Sequence, residues 1–128
     1  QAKSRMSEAK VNLKMIYTLQ QAFHGENDSY QSIASTGVGT ECPNNAIGFV
    51  PEPCDKTRYN YIVTGTATNF VAVATANGDG KPINPSCPDV DDTWVINQCN
   101  DLCHRVDAAS CQDTPDATCL EAAPATCD

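Results

Sequence analysis

The 128-residue sequence lacks any run of about 18 consecutive apolar residues, which is the length that a membrane-spanning helix needs. It also lacks the motifs His-Glu-x-x-His and Gly-x-Ser-x-Gly and a glycine-rich phosphate-binding loop. Its two histidines, His24 and His104, lie in unrelated segments. The sequence therefore predicts no membrane span within residues 1–128, no cofactor and no catalytic site, and we expect a protein that is not an enzyme.

Basic residues are scarce in the second half of the chain. Residues 82–128 contain Arg105 against nine acidic residues, whereas residues 1–24 contain four basic residues against Glu8, and the net charge is −8. No basic patch is interleaved with aromatic residues, which argues against a nucleic acid partner. The asymmetry either favours contacts between the basic helix of one copy and the acidic side of another, or is a solvated acidic surface with a few helix lysines.

Large apolar residues are nearly absent after residue 98, where only 3 of the 29 in the chain occur. That region cannot bury enough surface to fold by itself, and cysteines can replace burial with cross-links. The eight cysteines are Cys42, Cys54, Cys87, Cys99, Cys103, Cys111, Cys119 and Cys127. No Cys-x-x-Cys pair supports a zinc site. We predict that all eight form disulfides in an oxidising compartment, with proximity favouring Cys42–Cys54 and the other partners open.

The first 24 residues have the apolar spacing of an amphipathic helix. The side chains expected to form its packing surface, in the core or between subunits, are Met6, Ala9, Leu13, Ile16, Tyr17 and Phe23, with Gln20 at the one polar step. No N-cap residue precedes this pattern. We therefore expect the helix to continue upstream in the gene into an apolar segment preceded by a short basic leader.

Three segments have the alternation of β-strands. They are 58–64, 69–76 and 93–97, and the first two are joined by a short link that predicts an antiparallel hairpin. Small alanines on the second strand would let the helix approach closely. The sequence thus predicts an α+β fold, in which one long helix packs on a small antiparallel sheet of three to four strands. Residues 47–50 are expected to form either a further short strand or an apolar segment beneath a loop.

Several segments along the chain form a characteristic succession. The first is Ser7-Glu8-Ala9-Lys10-Val11-Asn12-Leu13, followed by Ile16-Tyr17-Thr18, Ala22-Phe23 and Glu26-Asn27-Asp28-Ser29-Tyr30. The later ones are Ile47-Gly48-Phe49-Val50-Pro51, Arg58-Tyr59-Asn60-Tyr61 and Asp91-Asp92-Thr93-Trp94-Val95-Ile96-Asn97. In this order the segments resemble type IVa pilins, especially those of deltaproteobacteria, and the order is more specific than any one segment. The resemblance covers roughly residues 1 to 98, and the cysteine-rich region beyond it has no counterpart.

The resemblance implies a single pilin-like domain over residues 1–128. Its parts would be a helix (1–24), an αβ-loop (25–57), a sheet (58–97) and a disulfide-linked C-terminal region (98–128). It implies a structural subunit that polymerises with copies of itself into a surface filament for adhesion, twitching motility or DNA uptake. The assembly machinery of the inner membrane would be its other partner, and contact with the membrane itself would involve only the segment missing upstream.

Two other functions compete with a pilus subunit. One is a pseudopilin of a type II secretion system, although pseudopilins tend to have few cysteines. The other is a haem-bearing electron-transfer protein, because Cys99, Cys103 and His104 resemble a c-type attachment sequence with one extra residue between the cysteines. Disulfides explain all eight cysteines at once and are therefore favoured over haem.

Four aspartates on adjacent loops suggest a calcium site, because calcium prefers oxygen ligands. They are Asp79, Asp89, Asp91 and Asp92. Their spacing does not match a twelve-residue EF-hand loop, and Asn-Gly and Asp-Gly pairs are also common in turns. Ordinary turns are therefore favoured over a calcium site in these loops.

Overall fold

The computed structural model describes residues 2–37, 45–51, 58–76, 83–87, 90–111 and 127, with side chains described from residue 6 onward and not at 35–37. These described residues form one helix and five strands. They are α1 (Ala2–Asn27), β1 (Ile33–Gly37), β2 (Tyr59–Gly65), β3 (Phe70–Ala76), β4 (Thr93–Asn97) and β5 (Leu102–Val106).

The five strands form one antiparallel sheet in the order β1-β2-β3-β4-β5. Its register places Tyr61 opposite Ala74, Ala74 opposite Trp94, and Trp94 opposite His104. These four side chains therefore lie on the same face of the sheet. The α+β fold with one long helix on an antiparallel sheet is confirmed, and the sheet has one strand more than the largest number predicted.

The two edge strands, β1 and β5, were missed by the sequence prediction. β1 has the sequence Ile-Ala-Ser-Thr-Gly, in which only Ile33 is large and apolar. β5 alternates Leu102, His104 and Val106 with Cys103 and Arg105, but it lies in the cysteine-rich region where we expected cross-links. An edge strand pairs on one side only and needs less apolar sequence than a central strand.

Helix α1 extends beyond the predicted end at residue 24. It reaches Asn27, and Asp28 then adopts the left-handed conformation with φ 55° and donates its backbone N–H to the His24 carbonyl at 2.9 Å. The helix continues through Gly25, and Asp28 ends it, as short polar residues can do in this conformation. Within the described segments, no helix is apolar enough over sufficient length to cross a bilayer.

The core lies between α1 and the inner face of the sheet. The helix contacts β3 and β4, and the alanines Ala72 and Ala74 of β3 are fully buried beneath it. Small side chains at this position let the helix approach the sheet closely. The fully buried large residues of the core include Leu13, Ile16, Phe49, Tyr59, Tyr61, Phe70, Ile83 and Ile96.

Residues 45–51 supply a side chain to this core without forming a strand. The Asn45 amide donates to the Phe49 carbonyl at 2.7 Å, and its oxygen accepts the Phe49 N–H at 2.9 Å. Gly48 at φ 77° closes the turn, a conformation that costs glycine little. Phe49 is thereby held edge-on to Tyr61, with ring centroids 5.6 Å apart. Of the two predicted alternatives, an apolar segment is the one observed.

Candidate functional site

Helix α1 has one buried face and one exposed face. Met6, Ala9, Leu13 and Ile16 are buried against the sheet, whereas Tyr17 and Phe23 are partly buried at its border. The opposite side, here called the outer face of α1, consists of Ser7, Val11, Lys14, Thr18 and Ala22, all of them exposed. Steps of three and four residues place these five on one side of the helix.

The outer face of α1 carries one large exposed apolar residue. Val11 is 55% exposed, and the partly buried Met15 and Leu19 lie beside it on the helix surface. A single exposed apolar side chain is ordinary in a soluble protein, but a helix with one buried side needs only one apolar stripe. Val11 on the outer face, together with Met15 and Leu19 beside it, is therefore the candidate contact surface.

Buried hydrogen bonds fix which side of α1 faces the sheet. The amide of Asn12 donates to the Tyr61 hydroxyl at 2.8 Å, and both side chains are fully buried. Gln20 forms two bonds with the backbone of Gln31, at 2.6 and 2.9 Å. Rotating the helix would leave these polar groups buried without partners, at a cost of about 1–3 kcal/mol each. The outer face is therefore held outward.

Glu8 extends this attachment to the start of β2. Its carboxylate accepts the backbone N–H groups of Arg58 at 2.9 Å and Tyr59 at 3.3 Å. The segments that resemble pilins include Glu8, but the sequence did not indicate this contact. A glutamate on a helix gives no signal of a backbone partner 50 residues away.

A second cluster surrounds Asp92, just before β4. Its side chain is fully buried and accepts four hydrogen bonds. One oxygen accepts from the Tyr59 hydroxyl at 2.7 Å and the Trp94 indole N–H at 2.8 Å. The other accepts from His104 Nε2 at 2.7 Å and the Ala108 backbone N–H at 2.9 Å. Asp92 thus joins β2, β4, β5 and the turn that follows β5.

These contacts set the ionisation of the cluster. Burial acts to raise the pKa of Asp92, but hydrogen bonds from His104, Ala108 and Tyr59 outweigh it and place that pKa below its ordinary value of 3.8. Burial, with the adjacent Asp92 carboxylate, raises the pKa of Tyr59 far above its ordinary value of 10.0. Burial likewise raises the pKa of Tyr61. At neutral pH an ionised carboxylate therefore accepts from a neutral phenol.

Trp94 is enclosed between two side chains. The His104 ring stacks on its indole with centroids 3.8 Å apart and planes 7° apart, and Lys10 Nζ lies 5.0 Å from the centroid of the Trp94 ring. Beside this stack is a cleft of about 540 Å³, lined by Met6, Ser7, Lys10, Trp94, His104, Asp107 and Ala109. The sequence did not indicate that these residues lie together, apart from Met6, Ser7 and Lys10, which are neighbours on α1.

The predicted calcium ligands are not arranged as one exposed loop in the described residues. Asp92 points into the protein, where its four donors occupy it, while Asp91 is exposed. Asp79 and Asp89 lie outside the described residues. Calcium binding by these aspartates stays a prediction.

Disulfides connect the region around β5 to the rest of the fold. Cys87 is bonded to Cys111, with Cα atoms 5.4 Å apart, and Cys99 to Cys127, with Cα atoms 5.2 Å apart. Cys103 is also disulfide-bonded. Cys42, Cys54 and Cys119 lie outside the described residues, so the predicted Cys42–Cys54 bond and the pairing of all eight stay predictions.

The disulfides of Cys99 and Cys103 also concern the predicted alternative of haem attachment. Cys99 and Cys103 are both oxidised in disulfides, and His104 Nε2 is engaged with Asp92. Covalent attachment of haem would need both thiols free and the imidazole available as an axial ligand. These residues are adjacent in the sequence, but the structure uses them for other contacts.

Replacing Cys87 and Cys111 together with alanine is expected to lower the free energy of unfolding by about 2–4 kcal/mol, because the unfolded chain is no longer restricted by a closed loop. The bond joins residues separated by 24 positions. Urea denaturation followed by circular dichroism measures the change. A loss below about 0.5 kcal/mol, the usual range of a surface substitution, would contradict a stabilising role for this bond.

Comparison with known proteins shows that the chain is similar to a pilin. The chain is 43% identical over 67 residues to the type IV major pilin protein PilA of Myxococcus xanthus. The matched segment covers 52% of this chain and 25% of that protein. No family model matches the chain, and no solved structure matches it. The predicted resemblance to a deltaproteobacterial type IV pilin is confirmed by this match.

Proposed function

We propose that this chain is a structural subunit of a type IV pilus, with no reaction of its own, and that copies of it pack together through the outer face of α1. The similarity to a major pilin supports the filament, and the exposed apolar surface of the helix supports the site of contact. The partner is a further copy of the chain.

The observation that carries this proposal is the exposure of Val11 on a helix whose other side is fully buried. Val11 is 55% exposed, whereas Leu13 and Ile16 are not exposed at all. Removing apolar surface from water contributes about 25 cal/mol per Å², so repeated contacts between helices along a filament stabilise it. Asn12 and Gln20 hold this surface outward in every copy.

The proposed location is a pilus on the cell surface, with the inner membrane as the site before assembly. The disulfides Cys87–Cys111 and Cys99–Cys127 fit an oxidising environment outside the cytoplasm. The assembly machinery of the inner membrane is the second proposed partner. Adhesion, twitching motility and DNA uptake are the activities that such a filament would serve.

Replacing Val11 with glutamate is expected to abolish incorporation of the subunit into filaments, because a charge would be buried at each helix contact. Ile62 is the matched control, since it is 49% exposed but lies on the sheet, on the face turned away from α1. Both substitutions are made in the full-length gene, and filaments sheared from the cells are quantified by immunoblotting and electron microscopy.

We expect at least a tenfold loss of sheared filament for Val11→Glu and little change for Ile62→Glu, with both subunits still present in the cells. Circular dichroism of residues 1–128 carrying each substitution shows whether folding is preserved. Normal filaments from Val11→Glu would overturn the proposed contact. Equal loss from both variants would also overturn it, because assembly would then not depend on the outer face of α1 in particular.

A further inference from the structure

We propose that Asp92, His104 and Asp107 form a binding site for a divalent transition-metal ion, with Zn²⁺ as the best-fitting ion. Each residue offers one ligand atom, and the three atoms lie within 4.8 Å of one another. An imidazole nitrogen with two carboxylate oxygens is a ligand set that Zn²⁺ accepts, and one position is left for water. This site is independent of the proposed role of α1 in filament contacts.

The distances are close to those of a bound ion. His104 Nε2 lies 2.7 Å from Asp92 Oδ1 and 3.9 Å from Asp107 Oδ1. In a tetrahedral zinc site with bonds of about 2.0–2.2 Å, neighbouring ligand atoms are separated by roughly 3.2–3.6 Å. One separation is shorter than this and the other longer. Binding would therefore have to move His104 away from Asp92 by about half an ångström and closer to Asp107 by about 0.3 Å.

The ligands are held in position by groups around them. Two consecutive backbone N–H groups in the turn after β5 orient the carboxylates, since Ala108 donates to Asp92 and Ala109 to Asp107, each at 2.9 Å. Stacking on Trp94 fixes the plane of the His104 ring. Metal-binding histidines and carboxylates commonly have such supporting contacts, and these contacts reduce the reorganisation needed on binding.

The exposure of the ligands and the charge of the site also suit a cation. Asp107 is 32% exposed and His104 22% exposed, and both line the cleft through which an ion and its water ligand could enter. Two carboxylates attract a dication, and Lys10 is the cationic side chain that lines the same cleft and opposes it. On binding, the Nε2 proton that His104 shares with Asp92 is released, and the ion takes its place between these two atoms.

The test uses the chain's one tryptophan as a reporter. The folded, oxidised chain at pH 7.5 is titrated with Ni²⁺, a paramagnetic ion that quenches a nearby indole, and Zn²⁺ is then added as a competitor. We expect saturable quenching with one ion per chain and recovery of fluorescence with Zn²⁺, because Trp94 stacks directly on His104. Native mass spectrometry with Zn²⁺ alone checks the stoichiometry.

Asp107→Asn is the informative variant, because Asp107 is partly exposed and its replacement should not unfold the chain. We expect its affinity for Ni²⁺ and Zn²⁺ to fall at least tenfold. Asp101→Asn removes the same charge from an exposed position, and His24→Gln removes the other histidine. Both should bind as the unmodified chain does. Absence of saturable quenching up to 1 mM Ni²⁺, or equal loss in Asp101→Asn or His24→Gln, would overturn the site.

Discussion

Replacing Asp92 with alanine should lower the free energy of unfolding by about 4 kcal/mol or more, which is a large part of the total stability of a small domain. The reason is the number of donors that would lose their acceptor. Tyr59, Trp94, His104 and Ala108 all donate to this one buried carboxylate. Leaving a buried donor without a partner costs about 1–3 kcal/mol, and His104, which is 22% exposed, would lose less than the other three.

The neighbouring residue provides the matched control. Asp91 is exposed, whereas Asp92 is fully buried, so Asp91→Ala should change stability by about 0.5 kcal/mol or less. Asp92→Asn keeps the volume of the side chain, but its amide NH₂ group would face two of the four donors. We therefore expect it to recover little of the stability lost in Asp92→Ala. Urea denaturation followed by Trp94 fluorescence measures all three variants. Equal stability of Asp91→Ala and Asp92→Ala would show that the hydrogen bonds to Asp92 contribute nothing.

Gly65→Ala is expected to destabilise the chain by about 3 kcal/mol, at the upper end of the range for an overpacked site. Gly65 ends β2 beneath the segment that follows α1, and an added Cβ would lie 2.8 Å from the backbone carbon and oxygen of Tyr30. Backbone atoms cannot rotate away as a side chain can. The segment would have to separate, which strains the bonds from Tyr30 N–H to Thr66 and between Ser32 and Gly65.

Gly25→Ala is the control and should have the opposite sign. Gly25 lies within α1, and a Cβ there would meet nothing within 4 Å. Alanine in an exposed helix position is more stable than glycine by about 0.5–1 kcal/mol. Thermal unfolding of both variants tests the pair. A Gly65→Ala chain as stable as Gly25→Ala would mean that β2 and the segment after α1 do not approach this closely.

The parts of the fold that follow from local periodicity could be predicted. The spacing of Leu13 and Ile16 indicates the buried face of α1, and both residues are fully buried. The alternation in β2 and β3 and the short link between them specify a hairpin, which the register confirms. In each of these segments one face is apolar and the other polar, so burial selects a single arrangement.

The Asp92 cluster could not be predicted, because its members are brought together only by the tertiary fold. In the sequence Asp92 stands among acidic residues that resemble a solvated loop. Its partners Tyr59 and His104 are 33 residues before it and 12 residues after it. His104 instead suggested a haem ligand, because the cysteines beside it gave the more visible pattern. Nothing local indicates that a carboxylate will be buried among four donors.

Polar residues within the apolar stripe of α1 partly indicate the buried hydrogen bonds of the helix. Gln20 occupies a core position by spacing and is fully buried, and a polar residue there requires a partner. The sequence could indicate that a bond exists, but not that it joins Gln20 to the backbone of Gln31. Contacts of this kind decide the orientation of the helix, and hence which of its surfaces remains exposed.

The central claim, that copies of this chain meet through the outer face of α1, is tested most directly by crosslinking within assembled filaments. A photoreactive phenylalanine derivative is placed at Val11 in one full-length subunit and at Ile62 in another, and filaments are irradiated on the cells. We expect a ladder of subunit dimers and larger products from position 11 and mainly monomer from position 62. Filaments that assemble normally yet give only monomer from position 11 would contradict the claim.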